Sequence, residues 1–569
     1  MRPALPDAFA FQRFLYFESV GGEGTVYGPW SIESSATHDG WIDGFMAYVE
    51  VVRRHVADRV AAAIPDREDA TTTAALIMGE QSAIPEDLQE AYRVSGLAHL
   101  LSISGVHMSL LAAVVFFLVR RGLALVPPVA LRIDTKKAAA WAAIAMTTIY
   151  LLISGLSVPA VRSYLMIGVV LIAVLLDRTA ISMRSIGWAA LVLMAIYPDA
   201  VVGASFEMSF MAVLALIAVA EHVSLRVTWR SPEGDLLILR AVGVILAGAV
   251  VTDIAAGGST ALFAIYHFNR FPTYSMASNL VADPITGMWI MPWGLAAMLA
   301  MPFGLDQIPL KLMGYGVGLV NDVARAVAKW PGAQVHVPPM SAAALAVAAF
   351  GLMLLCLWRG RFRWAGLALI MGGMAQPWFV APPDILVDEE AKVVAITDGR
   401  GHLALRPGPG DRFIRDVWQE RYGRSPLTWP EPGQTALDLR CDADGCILQR
   451  HGKRVLLAFF DAALAEDCAS TDATVSLSAA HAFCDGPTVA DRIDLRRRGA
   501  VALWLRPDGV RFRFVADGMG NRQWAPMPKS PQWAGSRDGA SSPGDLSDNE
   551  KTTDAVGGDA AALPDVPAH

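Results

Sequence analysis

A group of polar residues stands in an otherwise apolar part of the chain and could contact a polar ligand. In GLAHLLSISGVHMSLL, the residues His99, Ser104, Gly105 and His107 lie among leucines. Ser104 and His107 are three residues apart and would share one face of a helix. Polar groups at membrane depth are costly and normally face a bundle interior or a water-filled cavity. Two interpretations of His107 stay open: a neutral group that hydrogen-bonds between helices, and a group that lines a pore.

Three further polar residues occur near predicted helix breaks or ends. Arg162 follows the glycine and proline of SGLSVPAVR, where freed carbonyls and a guanidinium could face an aqueous path and contact phosphates. Glu207 stands between serines in SFEMSF and could pair with a basic group. Asn279 precedes an Asp-Pro pair at another predicted break. For each residue, a structural polar contact that fixes helix packing is the alternative interpretation.

Membrane-spanning helices would have to position these residues. The chain of 569 residues is 54% hydrophobic and 18% charged, with a mean hydropathy of +0.38, which predicts an apolar domain with soluble flanks. The predicted fold is a polytopic α-helical membrane protein of about ten transmembrane helices, each long enough to cross the hydrocarbon layer, with a C-terminal β-rich soluble α/β domain. The predicted spans are 97–119, 138–154, 160–176, 186–200, 205–221, 238–256, 276–301, 310–328, 341–358 and 364–381. The eighth carries Asn321, Asp322 and Arg325, so a pore-facing or interfacial helix is its alternative.

Basic residues predict the orientation of the membrane domain. By the positive-inside rule, the side that carries the basic clusters is the cytoplasm, and all four clusters fall on one side if ten helices cross. Both flanks, 1–96 and 382–569, are then periplasmic, and the predicted location is the bacterial inner membrane. No cleavable signal is evident, because Pro3 and Pro6 interrupt the aromatic start. The clusters are Arg120, Arg121, Arg132, Lys136 and Lys137; Arg178 and Arg184; Arg226 and Arg230; and Arg359, Arg361 and Arg363.

Four of the five cysteines, Cys441, Cys446, Cys468 and Cys484, lie in the C-terminal flank. An even set in an oxidising compartment predicts disulfides. Three pairings are possible, and joining 441 to 446 and 468 to 484 requires the shortest loops. A zinc half-site is the rival interpretation, although neither a histidine pair nor a second CxxC accompanies the CxxxxC spacing. No cofactor is predicted.

The segments outside the membrane domain differ in composition. Residues 1–45 mix aromatic residues and glycines in short runs that predict strands and turns, and residues 46–96 form a predicted amphipathic helical linker. The tail at 531–569 is predicted to be disordered. From Arg537 onward it holds seven acidic and two basic residues, and this difference of −5 supplies most of the net charge of −7. Global charge therefore says little about a nucleic-acid partner.

The polar stretch at 96–111 resembles the competence domain of the ComEC family of DNA-uptake channels. Members of that family carry a stretch similar to GLxHLLAISGLHxGLL, which reads GLAHLLSISGVHMSLL in this chain. Three further stretches resemble the family in the right order: SGLSVPAVRSYLM, YPDAVVGASFEMSFMAVLAL and FNRFPTYSMASNLVADPI. The resemblance extends over residues 70 to 380, half of the chain.

The resemblance implies a channel that passes single-stranded DNA into the cytoplasm during natural transformation. One strand would thread through a wide polar path in the membrane domain. The implied partners are single-stranded DNA, membrane lipid, a competence DNA receptor outside and a cytoplasmic motor.

The family usually has two soluble domains as well, one OB-like and one metallo-β-lactamase-like. By this resemblance, 1–45 is a remnant of the OB-like region, 97–381 the channel domain and 382–530 a degenerate metallo-β-lactamase-like domain. A fragment, a late start codon and a truncated gene would each account for the missing N-terminal part.

Two other classes of function are alternatives. A membrane-tethered nuclease that acts on the non-transported strand would need the HxHxDH ligand signature of the metallo-β-lactamase-like fold. The eleven histidines never occur two residues apart, so no enzymatic activity is predicted. A small-solute transporter fits the hydropathy equally well but leaves the GLAHLLSISGVH stretch unexplained, and no inverted repeats that would support it are evident.

Overall fold

The structure is a computed structural model that describes most of the chain. Three parts follow one another: a helical N-terminal region, an apolar helical domain and a C-terminal domain of two β-sheets. Ser104, Arg226, Arg230 and the tail at 531–569 lie outside the described residues. The described residues are 2–20, 40–103, 105–178, 183–224, 237–398, 402–408, 411–422, 426–433, 435–480, 484 and 488–525.

The N-terminal region is helical where it is described. Residues 11–17 form a helix where strands were predicted, because FQRFLYF lacks the glycine, proline and β-branched residues that disfavour a helix. The Asp66 side chain accepts hydrogen bonds from two backbone N–H groups of the third helix, and Gly79 ends that helix with a positive φ of 77°. The helices are α1 (Phe11–Phe17), α2 (Trp41–Ala63), α3 (Arg67–Met78) and α4 (Glu86–Ser95).

The described part of the apolar domain contains thirteen α-helices. By length and composition, five segments within these residues could cross a membrane: His107–Ala124, Thr135–Ile153, Ala204–Glu221, Ala247–Phe268 and Ser275–Phe303. Shorter apolar helices are Pro159–Leu175, Met183–Ile196 and Ala342–Leu357. The helices are α5 (Ala98–Leu101), α6 (Gly105–Ala124), α7 (Pro127–Ala130), α8 (Thr135–Ile153), α9 (Val158–Leu175), α10 (Met183–Ile196), α11 (Ala204–Ser224), α12 (Leu237–Phe268), α13 (Ser275–Ile285), α14 (Met291–Ala300), α15 (Gln307–Ala328), α16 (Ala342–Leu357) and α17 (Ala365–Ala375).

The ten predicted crossings are not confirmed: among the described residues, 160–176, 186–200 and 341–358 correspond to shorter apolar helices, and 364–381 corresponds to the eleven-residue α17. Two further predicted spans also differ in the structure. The first, 97–119, is interrupted: α5 ends at Leu101, Ser102 has extended backbone angles, and α6 starts at Gly105. The eighth, 310–328, corresponds to α15, which packs against the linker helices α3 and α4 as well as against α14. Of the polar residues that suggested a pore-facing or interfacial helix, Asn321 is buried against those linker helices and Arg325 is half-buried beside Glu68, whereas Asp322 is exposed.

One end of the apolar domain, which we call the junction face, is where α8 and α10 end and α6, α9 and α11 begin. The helices α6, α8 and α9 pack together through short connections. Ile103, just before α6, and Ser154, just after α8, lie 3.1 and 3.0 Å from the position that a Cβ atom on Gly79 would occupy. The start of α6 and the end of α8 are therefore neighbours at this face.

The basic clusters lie at the opposite end of these helices. Lys136 and Lys137, at the start of α8, contact the Asp177 carboxylate, just after α9, at 3.0 and 2.9 Å. Hydrogen bonds and charge from the two ammonium groups, Lys137 first, lower the pKa of Asp177. Arg359, after α16, contacts the Glu221 carboxylate near the end of α11 at 3.4 Å. Because α11 begins at the junction face, three of the four predicted clusters lie at the opposite end, and the fourth, with Arg226 and Arg230, is outside the described residues.

Small residues allow α16 and α17 to pack as a close hairpin. A Cβ atom on Gly366 would lie 2.3 Å from the carbonyl oxygen of Gly351, and one on Gly373 would lie 2.6 Å from the carbonyl oxygen of Ala344. No larger residue fits at either glycine without separating the helices, a packing mode common between membrane helices.

The described part of the C-terminal domain is a sandwich of two six-stranded sheets. The strand order of the first sheet is β14 (Gly509–Phe514), β13 (Val501–Arg506), β3 (Ile385–Val387), β4 (Val394–Thr397), β5 (Leu403–Leu405) and β6 (Pro426–Leu427). The strand order of the second sheet is β12 (Thr488–Ala490), β11 (Ala473–Ser476), β10 (Lys453–Ala458), β9 (Gly445–Arg450), β8 (Leu439–Cys441) and β7 (Thr435–Ala436). One hydrophobic core joins them, with Ile385 and Leu503 from the first sheet and Leu448 and Val475 from the second. Leu5, near the start of the chain, is buried in a second cluster of this domain beside Trp418.

The strands and helices of that sandwich follow the apolar helices in the chain. Two short strands within the apolar domain, β1 (Arg270–Pro272) and β2 (Gln334–His336), pair with each other. The helices of the sandwich are α18 (Arg412–Tyr422), α19 (Asp461–Asp467), α20 (Arg492–Arg498) and α21 (Val515–Met519).

Candidate functional site

Two separate polar pairs lie on apolar helices at the junction face, and we call them together the α11 group: Arg162 with Ser205, and Glu207 with His267. The Arg162 guanidinium on α9 donates to the Ser205 hydroxyl near the start of α11. Two residues further along α11, on a different face of the helix, a Glu207 carboxylate oxygen lies 2.7 Å from Nε2 of His267, at the end of α12. The Glu207 and His267 side chains retain 19% and 16% exposure, so the protein does not fully enclose this pair.

A second set, the α13 group, comprises His99, Asp253, Asn279 and Asp283. The Asn279 amide on α13 donates to a carboxylate oxygen of Asp253 on α12 at 2.9 Å. Asp283 lies one turn after Asn279, and its carboxylate is 3.7 Å from Nε2 of His99. Both His99 and Asp283 are half exposed. Asp253 and His267 are on the same helix, about 21 Å apart at the rise of an α-helix, so the two groups are separate.

The remaining predicted residues lie around the start of α6. Gly105 begins that helix and is exposed; a Cβ atom there would lie 3.9 Å from the Ser163 hydroxyl on α9. His107 is only 2% exposed, within a helix whose neighbours are apolar. Ser104 falls outside the described part of the chain. The burial of His107 favours the interhelical interpretation over the pore-lining one.

A third polar set joins the linker helices α3 and α4 to α15. It comprises Tyr92, Asn321 and Asp69, and we call it the linker network. The Tyr92 hydroxyl on α4 donates to Oδ1 of the Asn321 side chain on α15 at 2.7 Å. The Asn321 amide donates in turn to a carboxylate oxygen of Asp69 on α3, also at 2.7 Å. Burial raises the pKa of Asp69, and the hydrogen bond from Asn321 opposes that shift. Arg325, one turn along α15, contacts Glu68 at 2.5 Å.

A single arginine connects three parts of the molecule. Arg270 in β1 contacts the Glu90 carboxylate on α4 at 2.7 Å and also the Glu420 carboxylate on α18 of the C-terminal domain. The Arg270 side chain is 14% exposed. In addition, Nε1 of Trp504 donates to the Ala381 carbonyl oxygen at 3.1 Å. The C-terminal domain therefore attaches at the junction face, beside the α11 group.

The four C-terminal cysteines form two pairs in the structure. Cys441 is bonded to Cys446 across the β8–β9 hairpin, and Cys468 is bonded to Cys484. Of the three open pairings, these are the ones with the shortest loops. Cys356 on α16 is the free cysteine among the described residues. Within those same residues, no three His, Cys, Asp or Glu side chains converge as metal ligands would; His481 is not among them.

Four partners of the predicted residues were missed from the sequence: Ser205, Asp253, His267 and Asp283. Glu207 was expected to have a basic partner, but the sequence could not identify it because His267 is 60 residues away. A signal for Asp253 was available, since it is a carboxylate inside the predicted span 238–256 and such residues are rare and functional.

Comparison with known proteins identifies relatives of the helical domain. The family model described as "Competence protein" matches residues 76–362. The ComE operon protein 3 of Bacillus subtilis (strain 168) is 24% identical over 298 residues, which are 52% of this chain and 34% of that protein. The Competence protein ComA of Neisseria gonorrhoeae is 31% identical over 334 residues, 58% of this chain and 44% of that protein.

The chain thus spans less than half the length of these two relatives. No solved structure matches it. The region that the family model matches contains both polar groups.

Proposed function

The chain belongs to the competence protein family, and from this premise we propose that it is an inner-membrane channel that passes single-stranded DNA into the cytoplasm during natural transformation. The names of its relatives support a role in competence and DNA uptake. About ten membrane crossings, as the apolar runs predict, would form the channel domain. The proposed partners are single-stranded DNA, a receptor that delivers DNA and a motor that pulls it.

The observation that carries the proposal is the α11 group. Arg162 offers a guanidinium, a planar donor suited to phosphate oxygens. It contacts the Ser205 hydroxyl and is itself 8% exposed, and the partly exposed pair of Glu207 and His267 begins two residues further along α11. Polar and ionisable side chains on apolar helices mark ligand pathways. A strand with many phosphates needs scattered donors of this kind and no tight filter.

The orientation follows from the two ends of the bundle. The described basic clusters lie opposite the junction face, so the positive-inside rule puts the junction face, the C-terminal domain and both polar groups on the periplasmic side. An alkaline phosphatase fused after Pro383 should be active, and one fused after Lys137 should be inactive. The reverse pattern would overturn this orientation.

We propose further that the chain has no nuclease activity. The support is ligand chemistry: a catalytic zinc needs three protein ligands around an open position, and the histidine spacing supplies no such set. The purified full chain should bind no stoichiometric zinc or manganese and should leave labelled DNA uncut. One or two bound ions per chain, with cleavage that stops on chelation, would restore the nuclease alternative.

The direct test of the channel proposal is uptake of labelled DNA by a strain that lacks this gene. Cells complemented with the gene should accumulate one labelled strand in a form that external nuclease cannot reach, and the deletion strain should keep the label outside. Equal internal label in the two strains would refute the proposal. Loss of a small solute's uptake, with DNA uptake unchanged, would favour the transporter alternative.

A further inference from the structure

The helix α2 is divided into two halves with different surroundings. In its second half, Val56 and Val60 are buried against the linker and membrane helices. In its first half, from Trp41 to Val51, Val49 is buried but most of the large apolar side chains are exposed. The exposed fractions are 82% for Trp41, 56% for Ile42, 45% for Phe45, 65% for Tyr48 and 60% for Val51.

Arg53 fixes the exposed half at the junction face. Its Nε atom donates to the carbonyl oxygen of Ile153, the last residue of α8, at 3.0 Å. A Cβ atom on Gly155 would lie 2.9 Å from the same guanidinium, and φ of Gly155 is +71°, so glycine permits this close approach. Because α8 is an apolar segment long enough to cross a membrane, Arg53 marks the level at which that segment ends.

A second aromatic helix reaches the same face. Arg13 on α1 donates to the carbonyl oxygen of Asp199 at 2.9 Å, in the 3₁₀ turn (Pro198–Val202) between α10 and α11. Phe11, Phe14 and Phe17 of α1 are between 37% and 45% exposed. Two separate stretches of exposed aromatic residues are therefore attached to the ends of apolar helices on one face.

We propose that the first half of α2 lies in the lipid–water interface of the membrane leaflet at the junction face, with phospholipid as its partner and with α1 resting on the same leaflet. At 1.5 Å per residue, the eleven residues from Trp41 to Val51 extend about 17 Å, too short to cross about 30 Å of hydrocarbon. Trp and Tyr are enriched at the headgroup level, where an apolar ring and a polar edge are both satisfied. A helix exposing this much apolar surface is typical of an interfacial anchor.

Charge distinguishes this partner from nucleic acid. Proteins that stack bases on aromatic rings combine them with basic groups that hold the phosphates. Between Trp41 and Val51 the charged residues are Asp43 and Glu50, both acidic. Arg53, the next basic residue, contacts Glu50 at 2.8 Å and α8. The inference rests on the membrane location of the chain and is independent of DNA transport.

The test uses the full chain with Cys356→Ser and one environment-sensitive fluorophore attached to Tyr48→Cys, reconstituted in phosphatidylcholine vesicles. Nitroxide lipids carry the quencher at the headgroup, high on the acyl chain or at its end. We expect a blue-shifted emission and a loss of emission about twofold larger with the headgroup and upper-chain quenchers than with the terminal one, as for an interfacial helix. A second label at Trp41→Cys should behave alike, which guards against a local effect of one variant.

A label at Asp58→Cys, on the polar surface of the same helix, is the matched control and should show little quenching. Strongest quenching by the terminal nitroxide would overturn the proposal, because it would place α2 in the hydrocarbon core. A blue shift without quenching by the nitroxide lipids would also overturn it. In that case, a blue shift that depends on protein density would indicate a second copy of this chain, and one that depends on added oligonucleotide would indicate DNA. None of these results depends on DNA uptake, so they leave the channel proposal to its own test.

Discussion

The α11 group and the linker network use similar side chains in different ways. In the linker network, Tyr92, Asn321 and Asp69 form a continuous chain of hydrogen bonds, with Tyr92 and Asn321 at 2% exposure. In the α11 group, Arg162 and Glu207 each have one partner in a separate pair, and the protein does not fully enclose the pair of Glu207. The network thus joins three helices in one continuous chain of hydrogen bonds, whereas the α11 group consists of two separate pairs, of which only the pair of Glu207 and His267 is partly exposed.

The difference shows that a polar residue in an apolar region cannot be assigned a role from its type alone. A buried group whose hydrogen-bonding positions are occupied stabilises the fold, because losing one partner leaves another unsatisfied. A group with one partner and some exposure can exchange that partner for a ligand or for water. Substitutions in the two sets should therefore separate protein abundance from DNA uptake.

The largest effect is expected for Asn321→Ala. It removes the acceptor of the Tyr92 hydroxyl and the donor to Asp69, and each unsatisfied buried group costs about 1–3 kcal/mol. Protein abundance in membranes and the Tm of the purified chain should both fall, and DNA uptake should fall in proportion. Asp322→Ala, at an exposed neighbouring position, is the control and should leave Tm nearly unchanged. An Asn321→Ala chain of normal stability would show that the network does not hold the helices together.

The next effect is expected for Arg162→Ala. The Arg162 guanidinium donates to the Ser205 hydroxyl, which is neutral. Removing the guanidinium therefore leaves no charge unpaired, and protein abundance should change little. Uptake of labelled DNA should fall roughly tenfold, equivalent to about 1.4 kcal/mol of lost phosphate contact. Arg162→Lys keeps the charge without the planar donor and should be intermediate. If uptake simply follows abundance in both variants, Arg162 is a packing residue.

A smaller effect is expected for His107→Ala. Because His107 is buried, its loss should weaken helix association by about 0.6 to 2 kcal/mol, and abundance and uptake should fall together. Ser109→Ala, at an exposed position on the same helix, is the control. Loss of uptake at full abundance would instead make His107 part of the DNA path.

The smallest effect is expected for Arg270→Ala. Partly exposed ion pairs contribute about 0 to 1 kcal/mol, so the chain should fold and be abundant. The C-terminal domain should detach more readily, which limited trypsin digestion of the solubilised chain would detect as faster release. Arg412→Ala removes an exposed pair within α18 and should not change the release rate. Equal rates in the two variants would mean that other contacts hold the domain.

The local sequence pattern was sufficient to predict where apolar helices occur, but not which helices pack against one another. Runs of apolar residues marked α6, α8 and α11, since a membrane imposes length and composition on each helix separately. Which helices touch depends on packing between residues distant in the chain, as for Glu207 and His267. Aromatic residues at 11–17 were misread as strand because β-propensity reflects context more than backbone preference.

The C-terminal domain shows the same division. Its strands and turns were expected from alternating residues and glycines, and the short loops of the two cysteine pairs were recognisable as one of three possibilities. The order of the strands in the two sheets was not predictable from the sequence, because it depends on pairing between residues distant in the chain. The contact of Leu5 with this domain had no local signal, since it joins residues almost 400 positions apart.

The most direct test of the central claim is the reactivity of a cysteine at Ser205, beside Arg162, in a chain with Cys356→Ser. If the α11 group lines the DNA path, a small polar thiol reagent added from outside should modify Ser205→Cys rapidly, because water reaches the site and the thiolate forms there. Single-stranded DNA held in the channel should slow that modification, whereas Leu118→Cys, on the apolar surface of α6, should react slowly with or without DNA. A Ser205→Cys chain that does not react, or reacts equally fast while DNA is in transit, would contradict the account.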